Sequence, residues 1–458
     1  MLVTYLDSLA SIRKFLGAVP YVLCVFALGA LGQSSIIENA TTQIQRGNFQ
    51  EAKVLLEDGL KDHPSQPDLW NLLGIAETEL HDISSAKSAF SRGLELAPDS
   101  ISLRENAGLL FYRQADYANA KEQLARAVAL GSQKPGVLFS LAASRLRTGE
   151  PKQALAELKS LEAPLGNVSA YWDERGRAES LGDPAAAERS FDRALELQPG
   201  DLTALNGAAS AAEKQGLDEK ALAYLIKARR ASPDDVTTLA HFGSVCIRRD
   251  LGLDALDALN KAHTLDPSNN SALYLLARAN VSLQNWQRAY DLFDSFSKRE
   301  PNFAPAYYAM GWIDRKLSRT EDARKNLEHC LRLAPGMTGA RYALAELELD
   351  DGHVDAAEKL LQIILHENPK HAEANLAMGG IAMRRGNLQQ AQALLETAVR
   401  SDPKLAAAHY QLSILFFREH NSKRAEAERS LASSLNAEAN RAGKTQLKLI
   451  LPETESMQ

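Results

Sequence analysis

Cysteine is scarce in this chain of 458 residues: there are three, Cys24, Cys246 and Cys330. Cys24 lies in an N-terminal apolar stretch. Cys246 and Cys330 are far apart in the chain and fall at unrelated places in its internal pattern. A disulfide needs Cα atoms within about 7 Å, so these two make a poor pair, and buried free thiols are expected. Aromatic residues make up 6% of the chain. Charge of one sign is lacking too. The formal net charge is −6, with acidic and basic residues mixed along the length. The absence of a basic stripe excludes nucleic acid as the expected partner.

Signatures of chemistry are missing as well. There is no glycine-rich phosphate loop, no His-Glu-x-x-His and no Cys-x-x-Cys. Ser84-Ser85-Ala86-Lys87 and Ser295-Phe296-Ser297-Lys298 match Ser-x-x-Lys formally, without the companion motifs of acylating enzymes. His366 and His371 flank Pro369 with no third ligand nearby, so solvated histidines fit better than a metal site. No catalytic residue, metal or cofactor is expected.

Long apolar runs are absent except for one, Phe15 to Leu31, seventeen residues preceded by Arg13 and Lys14. A basic start, an apolar middle and Ala30-Leu31-Gly32 at the exit fit a secretory signal. An uncleaved anchor through residues 15–31 is the alternative, at the short end for spanning a bilayer. A capping helix is a third. Residues 1–32 are therefore read as a signal peptide or membrane anchor. The chain is expected to be extracytoplasmic (periplasmic or secreted), or else membrane-tethered.

What the chain has in abundance is repetition. Ala52, Ala86, Ala120, Ala154, Ala187, Ala221, Ala255, Ala289, Ala323, Ala357, Ala391 and Ala425 recur every 34 residues, except for 33 between Ala154 and Ala187. Pro64, Pro98, Pro199, Pro233, Pro267, Pro301, Pro335, Pro369 and Pro403 each follow one of these alanines by 12 residues. A fixed period is read as a repeat array. Within a unit, Trp70, Leu73, Gly74 and Glu77 share one helical face, helix A. Ala86, Phe90, Gly93 and Leu94 share another, helix B, which Pro98 ends. Small residues at the Gly74 slot let the two backbones approach, and a large apolar residue at the Phe90 slot fills the space beside them. Asp99, Asp201, Asp235 and Ser268 are expected to cap the next helix A. Gly47, Gly149, Gly182, Gly216, Gly352 and Gly386 are expected in left-handed turns between the helices. The missing residue is placed at the join near Pro164–Val168, which puts Arg175 in the small slot with Gly176 beside it.

These columns resemble the tetratricopeptide repeat: Trp, Leu-Gly and Tyr on helix A, then Ala, Phe, Ala and Pro on helix B and its exit. The resemblance covers residues 33–437 as twelve units. It implies an all-α, right-handed superhelical solenoid of antiparallel helix pairs. Residues 438–458 are read as the end of a capping helix and a disordered tail.

The resemblance also implies that helix A lines the concave face. The slots one residue after Trp70, then four and seven further on, would point into it. From unit five and units eight to twelve they yield Trp172, Tyr274, Arg278, Tyr308, Trp312, Arg315, Tyr342, Glu346, Tyr410 and Phe417. Tyr, Trp and Arg anchor interfaces. Two placements fit them: an open groove for a peptide or partner protein, or packing between neighbouring A helices. The expected function is a noncatalytic protein–protein scaffold of unknown oligomeric state. The alternatives are an interaction arm of an envelope enzyme complex (a glycosyltransferase or protease assembly) and a carbohydrate or cell-envelope binder. The Lys and Asn set with which chaperone-binding members hold a terminal carboxylate is not present in three consecutive units.

Overall fold

The computed structural model describes residues 33–441. The readings of residues 1–32 as a signal or anchor and of the tail beyond Arg441 lie outside them. Among the described residues the chain forms 25 helices and no strands, and no helix is long and apolar enough to cross a membrane.

The chain divides into two compact units, before and after Pro233–Asp234. The first holds α1 (Gln33–Gln45), α2 (Phe49–Asp62), α3 (Pro67–Glu79), α4 (Ile83–Leu96), α5 (Ile101–Arg113), α6 (Tyr117–Ala129), α7 (Pro135–Arg147), α8 (Pro151–Ser160), the short α9 (Glu162–Leu165), α10 (Ser169–Glu179), α11 (Pro184–Leu197), α12 (Leu202–Lys214) and α13 (Asp218–Ala231). The second holds α14 (Val236–Arg248), α15 (Gly252–Leu265), α16 (Asn270–Ser282), α17 (Trp286–Arg299), α18 (Ala304–Lys316), α19 (Thr320–Leu333), α20 (Thr338–Asp350), α21 (Val354–Glu367), α22 (Ala372–Arg384), α23 (Leu388–Ser401), α24 (Ala406–Arg418) and α25 (Ser422–Arg441). Within each unit, every helix A packs on its own helix B, and every helix B packs on the next helix A. This is the stacking of an all-α solenoid.

The alanine column is the core of each pair. Its first eleven members are 0% exposed, and Ala425, in the last pair, is 8% exposed. The small slot is equally tight. A Cβ on Gly74 would lie 2.6 Å from the Phe90 ring, and one on Gly243 would lie 2.5 Å from Leu259. Cys246 and Cys330 are buried free thiols, as expected.

The turn from helix A to helix B has one fixed feature. The same slot is left-handed in every pair but one. Gly47, Gly149, Gly216, Gly352 and Gly386 fill it at φ between 74° and 84°. Elsewhere His81, Ala115, Asp250, Gln284, Ser318 and His420 adopt it at φ between 57° and 62°. Non-glycine residues hold this conformation at a cost of about 1 kcal/mol or more, so the stacked helices impose it.

The exception is the fifth pair, and it corrects the sequence reading. Gly182 has no left-handed backbone. Gly176, not Arg175, occupies the small slot, since its Cβ would lie 2.8 Å from Phe191. The missing residue is therefore the left-handed one in the turn between α10 and α11. The join near Pro164–Val168 has normal length. Two expected caps also shift by one residue. Asp201 and Asp235 do cap their helices, but Ser100 and Asn269 cap α5 and α16 in place of Asp99 and Ser268.

Candidate functional site

The slot of Trp70 explains the turns between pairs. The Trp70 indole donates to the Pro64 carbonyl at 2.8 Å, six residues back. Arg104 donates to Pro98 O at 2.7 Å, Asn375 to Pro369 O at 3.0 Å, and His409 Nε2 lies 3.0 Å from Pro403 O. Arg341 reaches Pro335 O in the same way. The proline ends helix B, and this side chain satisfies the carbonyl left over. Periodicity did not reveal the device, because four residue types perform it.

Trp172 does the same to Gly166, at 2.8 Å. It thus occupies the Trp70 slot, not the concave slot expected for it. Its ring is half-buried, 5.0 Å from that of Tyr171, with the Arg175 guanidinium 5.0 Å from its centroid. The concave slot of this pair falls to Asp173, which is 4% exposed. Burial and the facing Asp201 carboxylate hold its carboxyl well above the usual range.

The aromatics of the second unit take both expected placements. Tyr274 is fully buried, edge-on to Phe293 and Phe303 and tilted against Phe296, with centroids 5.2–5.5 Å apart. Arg278, one turn on, is half-buried. Tyr308 is 7% exposed. It lies under the start of α20, where a Cβ on Gly339 would come 3.1 Å from its hydroxyl, and burial pushes its pKa up to about 12. Tyr274 and Tyr308 are therefore core residues, and the open-groove placement is wrong for both. The reason is geometric. Phe293 and Phe296 of its own helix B and Phe303 of the following turn cover Tyr274, and the start of the next helix A covers Tyr308.

The other residues of the slots form a polar strip. Trp312 is half-buried, edge-on to Trp286 at 5.4 Å, with the Lys316 ammonium 5.0 Å from its ring centre. Arg315 on α18 reaches Glu346 at 2.7 Å and Asp350 at 3.4 Å, both on α20. Tyr342 is hydrogen-bonded to Glu346, and its ring lies 5.9 Å from that of His371. Burial and the Glu346 charge raise the Tyr342 hydroxyl pKa. The structure thus brings together Arg315, Tyr342 and Glu346.

Only the last pair leaves its aromatics open. Tyr410 is 52% exposed and Phe417 is 72% exposed. They lie on α24 with half-buried Ile414 between them at helical spacing. No further helix A of the described residues lies over them. On α25 the exposed residues include Arg429 and Ser433, with Leu431 also 43% exposed. One repeat back, α22 carries adjacent glycines with opposite surroundings. A Cβ on Gly379 would meet Leu395 at 2.7 Å, whereas one on Gly380 would meet nothing within 4 Å. A mid-helix glycine costs about 0.5–1 kcal/mol relative to alanine, and no neighbour among the described residues requires one at Gly380. At the end of the strip Arg418, which is exposed, donates to Met383 O at 3.3 Å, next to exposed Arg384. Gly380, Arg384 and Arg418 were not singled out in the sequence, because their meaning depends on what lies across from them.

Family models described as "Tetratricopeptide repeat" match residues 43–105, 106–167, 177–236, 271–302, 315–381 and 362–413. No curated protein matches the chain. Among solved structures, YrrB, a tetratricopeptide repeat protein with an unusual peptide-binding site, is 20% identical, with a TM-score of 0.37 over 40% of this chain and 95% of its own. The Cut9–Hcn1 hetero-tetramer of the APC/C is 13% identical, with a TM-score of 0.44 over 99% and 94%. Yeast Tom70 is 12% identical, with a TM-score of 0.39 over 90% and 99%. The matched models span more than half of the chain, over the same alanine, small-residue and proline slots that build each helix pair, and the chain belongs to the tetratricopeptide repeat family.

Proposed function

We propose that this protein is a noncatalytic scaffold that holds a peptide-like segment of a protein partner against the A helices of its last three pairs. The observation that carries the reading is the contrast within one slot. Tyr308 is buried by the next helix A, while Tyr410 and Phe417 stay open beside a glycine with free space above it. Exposed aromatics flanked by arginine are what an interface anchor requires, and an open glycine admits close approach by a backbone. The half-buried Tyr342–Glu346–Arg315 strip forms the upstream wall.

A displayed peptide library selected on the full chain tests this. Selected ligands should lose about tenfold or more in affinity for Phe417→Ser and for Tyr410→Ser, a loss of about 1.4 kcal/mol or more, with helical content unchanged. Ligands indifferent to both substitutions would place the binding surface elsewhere.

A further inference from the structure

We infer that the open patch on α24 has an occupant within this chain: the segment Leu449–Glu455, which docks there in cis and competes with a partner. The inference rests on the patch being the binding surface proposed above.

Three observations converge. The first is chemistry. After Arg441 the sequence is polar except around Leu447-Lys448-Leu449-Ile450-Leu451, and this apolar run is followed by Pro452, Glu453 and Glu455. The patch has the complementary order. Apolar Tyr410, Ile414 and Phe417 come first, then exposed Arg418 and Arg384. No carboxylate among the described residues pairs with the Arg384 guanidinium.

The second observation is reach. His409 Nδ1 meets Glu428 Oε2 at 2.6 Å, which sets the level at which antiparallel α24 and α25 pair. From Glu428 to Arg441, α25 climbs about 20 Å past Tyr410 at 1.5 Å per residue. Eight further residues, to Leu449, can return about 26 Å when extended. From Leu449 to Glu453 an extended chain covers about 13 Å. Tyr410 to Arg418 along α24 is about 12 Å. Leu449 at Tyr410 therefore sets Glu453 at Arg418, in the direction the chain must run.

The third observation is Gly380. An extended backbone on α24 passes the open glycine of α22, and the absence of a Cβ there leaves it room.

The test uses the full chain carrying a photo-crosslinker, Phe417→p-benzoylphenylalanine. Illumination should yield monomer-mass crosslinks that map to residues 445–455. The same group at exposed Ile226 on α13 should yield none there. Adding Glu453→Lys with Glu455→Lys should cut the yield about fivefold or more, as expected for losing two exposed charge pairs. Gly380→Val should cut it similarly, with helical content unchanged. Absence of tail crosslinks, or tail crosslinks found only at dimer mass, would overturn docking in cis. Library ligands that depend on Phe417 would survive that result, so the two readings fail separately.

Discussion

The Trp172 indole donates to the Gly166 carbonyl at 2.8 Å, across the same six-residue span that joins Trp70 to Pro64. That one bond fixes the register of the irregular fifth pair. Inserting a glycine after Gly182 supplies the absent left-handed turn residue and should change stability by less than about 1 kcal/mol. Inserting it after Gly166 breaks the span and should cost more. Trp172→Phe should cost about 0.5–1.5 kcal/mol, the net value of one hydrogen bond. Urea unfolding midpoints at constant slope measure all three. Equal costs for the two insertions would return the missing residue to the join.

Gly379 and Gly380 are chain neighbours and should respond with opposite signs. Gly379→Ala presses a Cβ against Leu395 and should destabilise by about 1–3 kcal/mol. In a chain ending at Arg441, without the Leu449–Glu455 segment, Gly380→Ala meets nothing among the described residues and should stabilise by about 0.5–1 kcal/mol, since alanine is the better helix former. Thermal unfolding of both variants decides it. Destabilisation of that shortened chain by Gly380→Ala would show a neighbour among the described residues at that face.

Tyr308 and Tyr410 occupy the same slot of helix A, but Tyr308 is buried and Tyr410 is open. Tyr308→Ser alone should cost about 3 kcal/mol or more by leaving a cavity under α20. Tyr410→Ser and Phe417→Ser remove exposed rings and should stay within about 0.5 kcal/mol of the parent. A set of urea midpoints that does not separate along this line would contradict the assignment of core and open slots.

Asp314 makes stability depend on pH. It is fully buried on α18, accepts from Asn326 at 2.8 Å, and lies 3.8 Å from Arg319. Burial raises its pKa from 3.8 to about 6. The stabilisation from its protonated form is complete below the unfolded value and is lost as pH rises through about 6. Asp314→Asn cannot ionise and keeps an acceptor for Asn326. It should flatten stability between about pH 4 and 6.5 and gain up to about 3 kcal/mol at neutral pH, at 1.36 kcal/mol per unit. Unfolding midpoints across that range check the difference from the parent. Asp173, shifted in the same direction, should leave a residual slope.

The period, the helix pairs and the buried alanine column were legible in the sequence because each is a local spacing repeated many times. Ala52 and Ala391 need the same neighbour in every pair, so composition at the slot reports the contact. The structure of the fifth pair was not legible that way. Counting from alanines cannot tell which side of α10 lost a residue, and only the Trp172–Gly166 bond and the Gly176–Phe191 contact decide it. The same limit governs the candidate site. Tyr308 and Tyr410 occupy one slot and are one residue type, and pattern alone treats them alike. Stacking separates them: α20 lies over Tyr308, and no later helix A of the described residues lies over Tyr410. Helix formation and pairing follow from side chains within 34 residues of one another. Exposure at a shared slot depends on whether the next repeat is there to cover it, and that is a property of the stack.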